Sequence, residues 1–370
     1  MIPVFEPEIG DEDIAEVVAA LRRGEISGSF GESIPAFESE FAKYVGCTHG
    51  VAVTSGTTAL HLAVAALDLP AGSEVLVSAS TNIATALACY HNDCVAVPVD
   101  SEDETWNLDL DLVENLISEK TRAIIPVHLF GHPVAMDRLM NIAERYKLTV
   151  IEDCAESHGA TWKGRMTGSF GQMSCFSFYA NKIITTGEGG MVTTNDASLA
   201  EQLRSLRNLA FGKPRFLHQV AGYQFRMTGM QAALGRSQLR KIERFVEEKR
   251  RMAHTYNCML KEIPGLRTPP ELPDALNVYW MYAITVGPEF GISRDALARY
   301  LLDHGVETRT FFCPMGQQPF LRSQPGFRAV PCPVADRLWE TGLYLPSACS
   351  LTESIIAHIG DLIRRACHVH

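Results

Sequence analysis

Short runs of apolar, β-branched residues recur along the first 155 residues, and stretches with helical spacing separate them. Apolar side chains repeat at helical spacing at Ile14, Val17, Val18 and Leu21, and again over residues 57–67. Further helices are predicted near residues 110–119 and 135–146. The runs that predict strands are almost continuously apolar and cover residues 74–79, 94–100, 123–131 and 149–155. Such runs are typical of strands covered by helices on both faces, so the pattern predicts an α/β fold with a wound, mostly parallel sheet.

The alternation of strands and helices changes after residue 173. Residues 173–180 and 189–195 predict two strands on either side of a short segment that contains Lys182. A long helical segment follows, from about Thr228 to Met259. Four prolines between residues 264 and 273 then predict a linker before a smaller α+β unit. We therefore predict two domains, residues 1–245 and 246–370, with the boundary inside the long helix.

Composition and charge narrow the class of protein. The formal net charge of −10 argues against general affinity for nucleic acid. No apolar run approaches the roughly 20 residues that cross a bilayer, and the first residues lack an export signal, so a cytoplasmic location is expected. Ten cysteines without a C-x-x-C pair predict mostly buried free thiols. Residues 367–370, Cys-His-Val-His, could bind a metal weakly, but chain ends fray and no metal site is predicted.

The segment VAVTSGTTALHLAVAAL, residues 51–67, is the first candidate for chemistry. A β-branched run enters Ser55-Gly56-Thr57-Thr58, and an apolar helix leaves it. The first turn of a helix offers free backbone N–H groups to a phosphate, and Gly56 lets a ligand approach the main chain. A serine-capped helix after any strand has the same pattern, so this segment alone does not establish a phosphate site.

The segment VIEDCAESHGA, residues 150–160, places two acids, Glu152 and Asp153, at the end of a predicted strand. Wound sheets bind ligands at the carboxyl ends of their strands. An acid there can hold a positive ring nitrogen through a charge-assisted hydrogen bond. The alternative interpretation is a helix cap. His158 is either a packed core histidine or a residue that steadies the same ring.

Lys182 is the third candidate, in the segment FYANKIITTGEGGM. A single lysine is most often a solvated loop residue. A partly buried amine, however, has a lowered pKa and becomes nucleophilic. A phosphate anchor, an acid for a ring nitrogen and a lysine that forms a Schiff base are together what pyridoxal phosphate requires.

The chain resembles the DegT/DnrJ/EryC1/StrS sugar aminotransferases, a pyridoxal-phosphate family with the aspartate-aminotransferase fold. The likeness spans nearly all 370 residues and is most specific in FSFYANKIITTGEGGMV and GYQFRMTGMQAALG. It implies a fold type I enzyme, with a large domain around a mostly parallel wound sheet and a smaller C-terminal α+β domain. It also implies a homodimer with active sites at the interface.

The resemblance implies roles for the residues of the cofactor site. Lys182 is expected to form the Schiff base, and Asp153 to pair with the pyridinium nitrogen. Gly56, Thr57 and Ser177 are expected to hold the phosphate. In addition, Glu156 stands where the family usually has Gln, near the ring hydroxyl of the cofactor.

Three positions depart from the family pattern. Asn82 stands where members commonly stack an aromatic ring on the cofactor, which costs stacking energy. Gln224 replaces an asparagine that reaches the partner subunit's phosphate. Gly316 replaces a histidine that is often found in the GDP-perosamine synthases of the family. This last departure bears on the sugar more than on the reaction class.

Residues 207–218 and 306–319 resemble the GDP-perosamine synthases, which transfer an amino group to C4 of GDP-4-keto-6-deoxymannose. The expected substrates are L-glutamate and a nucleotide-linked ketosugar. Candidate substrate contacts are Asn181, Glu188, Tyr279, Trp280 and Arg309.

Alternatives to this function stay open. One is an aminotransferase for a UDP- or dTDP-linked ketosugar. Another is a pyridoxal-phosphate-dependent dehydratase, in which the lysine is typically a histidine. A third, from a different class, is a non-catalytic regulator on the same fold, although the acidic balance and the absence of a DNA-reading module weigh against it.

Overall fold

The computed structural model describes residues 1–367, and its strands and helices are numbered in chain order. The strands are β1 His49–Val53, β2 Glu74–Ser78, β3 Val95–Val99, β4 Thr121–Ile125, β5 Thr149–Asp153, β6 Thr161–Trp162, β7 Arg165–Met166, β8 Met173–Ser177, β9 Gly190–Thr194, β10 Leu266–Arg267, β11 Ala275–Leu276, β12 Tyr282–Val286, β13 Arg309–Thr310 and β14 Gly342–Leu345. The helices are α1 Asp11–Arg22, α2 Ser33–Val45, α3 Gly56–Ala65, α4 Ala84–Tyr90, α5 Leu110–Leu116, α6 Met136–Tyr146, α7 Ala197–Arg207, α8 Gly229–Leu239, α9 Ile242–Leu260, α10 Arg294–Asp303, α11 Pro319–Arg322, α12 Pro333–Thr341 and α13 Glu353–Cys367.

A seven-stranded sheet in the order β1-β9-β8-β5-β4-β2-β3 forms the centre of the large unit. Strand β9 runs antiparallel to both β1 and β8. The other neighbours pair in parallel. Buried apolar residues fill both sides of this sheet, as their continuous apolar runs predict. The predicted α/β fold with a mostly parallel sheet is confirmed.

A smaller antiparallel sheet lies in the C-terminal third, in the order β10-β12-β14-β13. Residues of α9, α10 and α13 pack on it and form one apolar cluster with its inward side chains. A third sheet joins β11 to β6 and β7, so residues 275–276 pair with the first two-thirds of the chain. The predicted domain boundary at residue 245 stays a prediction; it falls within α9.

Three predicted elements differ from the observed ones in their bounds. The strand predicted over 123–131 ends at Ile125, because Pro126 follows and has no N–H for the strand ladder. The helix predicted over 110–119 ends at Leu116. The helix predicted from Thr228 to Met259 is two helices, α8 and α9, separated at residues 240–241. Apolar spacing continues across such a short break, so the sequence pattern does not reveal it.

All ten cysteines are free thiols, but only half of them are buried. The expectation of mostly buried thiols was therefore too strong. Among the helices of residues 1–367, none has the combination of length and apolarity that a membrane span needs. The Cys-His-Val-His end, for which no metal site was predicted, falls largely on residues 368–370, and these lie outside the described part of the chain.

Candidate active site

A pocket of about 280 Å³ lies at the carboxyl ends of β5 and β8 and the start of α3. Ten of the residues that the sequence singled out line it: Gly56, Thr57, Asn82, Asp153, Glu156, Ser177, Asn181, Lys182, Glu188 and Trp280. The parallel strands explain this convergence, because their carboxyl ends meet at one edge of the sheet.

Helix α3 begins at the pocket. Ser55 caps it, since its Oγ accepts a hydrogen bond of 3.1 Å from the Thr58 backbone N–H. The backbone N–H groups of Gly56 and Thr57 are in the first turn, where a helix supplies no acceptors of its own. A Cβ on Gly56 would lie 2.6 Å from the Cβ of Ser177. Glycine thus lets the helix start lie directly against the end of β8, beside a hydroxyl.

Asp153 ends β5 and is buried. Its Oδ2 accepts a hydrogen bond of 2.9 Å from the Thr85 hydroxyl, and its Oδ1 accepts one of 3.1 Å from the Ala155 backbone N–H. Burial raises the pKa of Asp153, while these two donors and the Lys182 amine oppose the rise. A cationic group beside Asp153 would therefore be held by an oriented carboxylate.

Glu152, the neighbouring acid, stabilises the loop before β8. Its side chain is buried and accepts hydrogen bonds from the backbone N–H groups of Gly168, Phe170 and Gly171. It also contacts Nε2 of His128 at 3.2 Å. Successive side chains of a strand point to opposite faces, which separates the functions of Glu152 and Asp153.

Lys182 lies in the segment between β8 and β9. Its Nζ is 3.7 Å from the centroid of the Trp280 ring. Burial lowers the pKa of the Lys182 amine, and the carboxyl groups of Glu156 and Asp153 act in the opposite direction. The expectation of a partly buried, reactive amine is consistent with this environment.

Glu156 and His158 follow Asp153 and have different surroundings. Oε2 of Glu156 accepts a hydrogen bond of 2.8 Å from the Phe130 backbone N–H, and burial raises the pKa of Glu156 to about 7. The His158 ring packs beside the rings of Phe176 and Phe178, behind the pocket, and burial lowers its pKa to about 3. Its position matches the core alternative that the sequence left open.

Replacing Glu156 by Gln should change how stability depends on pH. The unfolded carboxyl ionises near pH 4 and the folded one near 7, so its stabilising contribution is present below about pH 4 and is lost as pH rises through 7. The difference in Tm, wild type minus Glu156→Gln, should therefore decrease by roughly 5 °C when the pH is raised from 5 to 8. Thermal melting of the cofactor-free chain at each pH measures this.

The matched control for this prediction is Glu262→Gln, whose side chain is 85% exposed. Its Tm difference from the wild type should stay constant over the same range. A constant difference for Glu156→Gln as well would show that Glu156 ionises normally in the folded chain.

Some predicted site residues lie elsewhere in the subunit. The Tyr279 hydroxyl donates to Glu271 at 3.2 Å, and its ring belongs to the C-terminal apolar cluster. Arg309 is exposed and pairs with Glu307 at 2.6 Å. Gln224 is exposed on the segment between α7 and α8, outside this subunit's pocket lining. The structure therefore does not bring Tyr279, Arg309 or Gln224 into the pocket of the same chain.

Asn82 and Gly316, two of the family departures, have different local surroundings. Asn82 lines the pocket, and its Oδ1 accepts a hydrogen bond of 3.0 Å from the Ala84 backbone N–H at the start of α4. Gly316 lies in a short 3₁₀ turn, where a Cβ would be 3.9 Å from the Val330 carbonyl oxygen. A side chain would fit at Gly316, so packing does not require glycine there.

Several lining residues were missed by the sequence interpretation. Tyr179, Phe312 and Tyr344 add aromatic surface, and Thr85 orients Asp153 from behind the wall. Burial raises the pKa of Tyr344 to about 12, and the nearby Glu156 contributes. Phe312 falls within the family-like segment 306–319 and Tyr179 within FSFYANKIITTGEGGMV, so a sequence signal was available for both. Thr85 and Tyr344 are contributed by elements far apart in sequence.

Comparison with known proteins identifies the family. The model of the DegT/DnrJ/EryC1/StrS aminotransferase family matches residues 7–364. The chain belongs to this family. It is therefore a sugar aminotransferase, and its cofactor is pyridoxal phosphate. This confirms the family, the enzyme class and the cofactor that the resemblance implied.

Curated relatives of this aminotransferase carry different substrate names. It is 38% identical over 333 residues to the GDP-perosamine synthase of Caulobacter vibrioides, covering 90% of this chain and 89% of the relative. It is 37% identical over 337 residues to the UDP-N-acetyl-3-dehydro-alpha-D-glucosamine 3-aminotransferase of Acidithiobacillus ferrooxidans, covering 90% and 88%. Among solved structures, DesV of S. venezuelae superposes with a TM-score of 0.90 at 33% identity, covering 97% of this chain and 95% of DesV.

The pocket fits the cofactor of the family. The missing Cβ of Gly56 leaves the helix start and the Ser177 hydroxyl together on one side, as a phosphate needs. The Asp153 carboxylate faces the pocket, where a protonated ring nitrogen would be held. Lys182 supplies an amine to the same pocket. These three features come from the residues present and do not depend on the comparisons.

Proposed function

We propose that this aminotransferase moves the amino group of L-glutamate to C4 of a nucleotide-linked 4-keto-6-deoxysugar, GDP-4-keto-6-deoxymannose, and so produces GDP-perosamine. The observation that carries the reaction class is the convergence of Lys182, Asp153 and the start of α3 on one pocket. Similarity to GDP-perosamine synthases over about 90% of the chain supports the substrate.

Each pocket residue has a separate task in this proposal. The backbone N–H groups of Gly56 and Thr57 and the Ser177 hydroxyl bind the phosphate of the cofactor. The Asp153 carboxylate accepts a hydrogen bond from the ring nitrogen and keeps it protonated, with Thr85 holding the carboxylate in place. Bound pyridoxal phosphate supplies the sink for the electrons that remain when a proton leaves the amino-bearing carbon.

Lys182 moves the proton. The free Nζ of Lys182 would take up the proton from Cα of glutamate and would later give it back within the pocket. The second half of the reaction runs in the opposite sense with the ketosugar. The lowered pKa of Lys182 favours this proton transfer, because the neutral amine forms at a lower pH than in an ordinary lysine.

Glu156 lines the same pocket as Lys182. It is held by the Phe130 N–H, and its raised pKa lets it carry a proton at neutral pH. In that form it can donate a hydrogen bond to the ring hydroxyl, as the amide of Gln does in the usual family pattern. His158 supports the floor of the pocket from the core.

A homodimer is part of the proposal. The segment between α7 and α8 exposes Phe216, Leu217 and Val220, at 72%, 47% and 57%. Gln224 lies near the end of that segment and is exposed, outside the lining of its own pocket. A second copy that covers these apolar side chains would let Gln224 reach the neighbouring active site.

The substrate is tested by assaying the purified enzyme with L-glutamate and GDP-, UDP- and dTDP-linked 4-ketosugars. The expected result is a preference for the GDP sugar by at least tenfold in kcat/KM. Preference for a UDP or dTDP sugar would replace the substrate but leave the reaction class intact. Loss of a sugar hydroxyl without gain of nitrogen would indicate the dehydratase alternative. A chromophore that L-glutamate does not bleach would count against any transaminase.

A further inference from the structure

Trp280, which the sequence suggested as a substrate contact, lies against the Lys182 amine. The Nζ atom is 3.7 Å from the centroid of the indole ring. A lysine ammonium over the face of a tryptophan is attracted by the ring quadrupole, and the attraction grows when the pair is removed from water. Trp280 itself is only 3% exposed.

The ring of Trp280 is fixed independently of Lys182. Its Nε1–H donates a hydrogen bond of 2.7 Å to the carbonyl oxygen of Asn181, the residue before the lysine. The Phe130 ring is stacked with it at an interplanar angle of 13° and a centroid distance of 6.4 Å. The backbone carbonyl oxygen of Trp280 accepts a hydrogen bond of 2.9 Å from Nζ of the buried Lys249. The indole thus holds both ends of the lysine residue, its amine and the peptide that precedes it.

We propose that Trp280 is a positioning residue that holds the released ammonium group of Lys182 between its contacts with the cofactor. This inference rests on the proposed function of Lys182. A π-face attracts the whole ammonium group and does not take up one particular N–H bond. The protons of Lys182 therefore stay available for transfer while the group is kept within the pocket. A hydrogen-bond acceptor in the same place would bind one of those protons.

The charged groups around Lys182 explain why such a platform is needed. Glu156 and Asp153 face the amine from the loop and strand of the sheet, and His158 lies behind it. Tyr344 of β14 lines the same pocket, where the Glu156 carboxyl influences it. The Asp153 carboxylate attracts an ammonium group, so an unsupported ammonium would be drawn toward it. The indole face balances that pull and holds the amine on the side of Trp280.

The experiment measures the basicity of Lys182 in the full chain freed of cofactor. Trace acetylation across a pH series, read by mass spectrometry of the Lys182 peptide, gives the midpoint of its labelling profile. Trp280→Leu should lower this midpoint by about one pH unit, so the labelled fraction relative to the plateau rises about tenfold at pH 7. The midpoint is compared instead of the absolute rate, because loss of the ring also changes access.

Two further variants make the result specific. Trp280→Phe keeps a ring with a weaker face and loses the N–H to Asn181, so its midpoint should fall by a smaller amount. Trp162→Leu is the matched control: Trp162 is buried and has Lys163 Nζ 5.8 Å from its ring, but it lies outside the pocket lining. Its Lys182 profile should equal that of the wild type.

Unchanged midpoints in both Trp280→Leu and Trp280→Phe would overturn the proposal. Should Trp280→Leu fail to fold by circular dichroism, Trp280→Phe alone decides, with an unchanged midpoint against the proposal and a lowered one for it. The labelling needs neither cofactor nor substrate. Its failure is therefore distinct from failure of the proposed reaction, which the activity of a Lys182 variant decides.

Discussion

Replacement of Lys182 by alanine is expected to lower kcat for amino transfer by at least about 10²- to 10⁴-fold, because the amine that moves the proton is lost. The cofactor should also bind without a covalent link, so that borohydride reduction no longer fixes it to the chain. Steady-state assay with L-glutamate and the preferred ketosugar measures the first effect. Mass spectrometry after reduction measures the second.

Lys163→Ala is the matched control for this substitution. Lys163 is half exposed and pairs with Asp137 at 2.7 Å, outside the pocket lining. Its removal should leave both activity and covalent retention at wild-type levels. Turnover of Lys182→Ala within tenfold of the wild type would refute the assignment of Lys182 as the catalytic amine.

Replacement of Asp153 by asparagine should reduce kcat by about 10²- to 10³-fold while Lys182 still links to the cofactor. Asparagine keeps the size of the side chain and can accept the Thr85 hydrogen bond, but it has no charge to keep a ring nitrogen protonated. The measurement combines kcat with the borohydride test. The two variants then separate the tasks, because Lys182→Ala loses the link and Asp153→Asn keeps it.

Asp100→Asn is the control for Asp153. Asp100 is also buried and follows a strand of the seven-stranded sheet, β3, but it accepts hydrogen bonds from the Val334 and Ala335 backbone N–H groups at the start of α12. Its substitution should lower Tm with little change in kcat. Equal losses of kcat in the two variants would mean that the effect of Asp153→Asn is general destabilisation.

The periodicity of apolar residues was sufficient to predict the large unit. Continuous apolar runs indicate strands buried on both faces, and helical spacing between them indicates crossovers, which together require a parallel sheet. The positions of element ends were less predictable. Pro126 ends β4 early, and residues 240–241 divide one long apolar pattern into α8 and α9. Such ends depend on single hydrogen bonds, to which hydrophobic spacing is insensitive.

Some roles of individual residues can be predicted from the sequence, and others are visible only in the structure. The sequence places Glu152 and Asp153 side by side at a strand end, but only the structure shows that Glu152 binds the loop before β8 and Asp153 faces the pocket. The structure also shows that Tyr279 and Arg309 lie away from the pocket and that Trp280 lies against Lys182.

By itself, the sequence determined the fold class, the family and three cofactor-site segments, because local patterns and motifs encode where strands end and which groups follow them. Tertiary structure alone decided which side chains from distant elements meet. Thr85 of α4, Trp280 before β12 and Tyr344 of β14 come near Asp153, Lys182 and Glu156 only in the folded chain. Burial, which moves the pKa values of Lys182 and Glu156 toward neutrality, follows from that packing and has no signature in the local sequence.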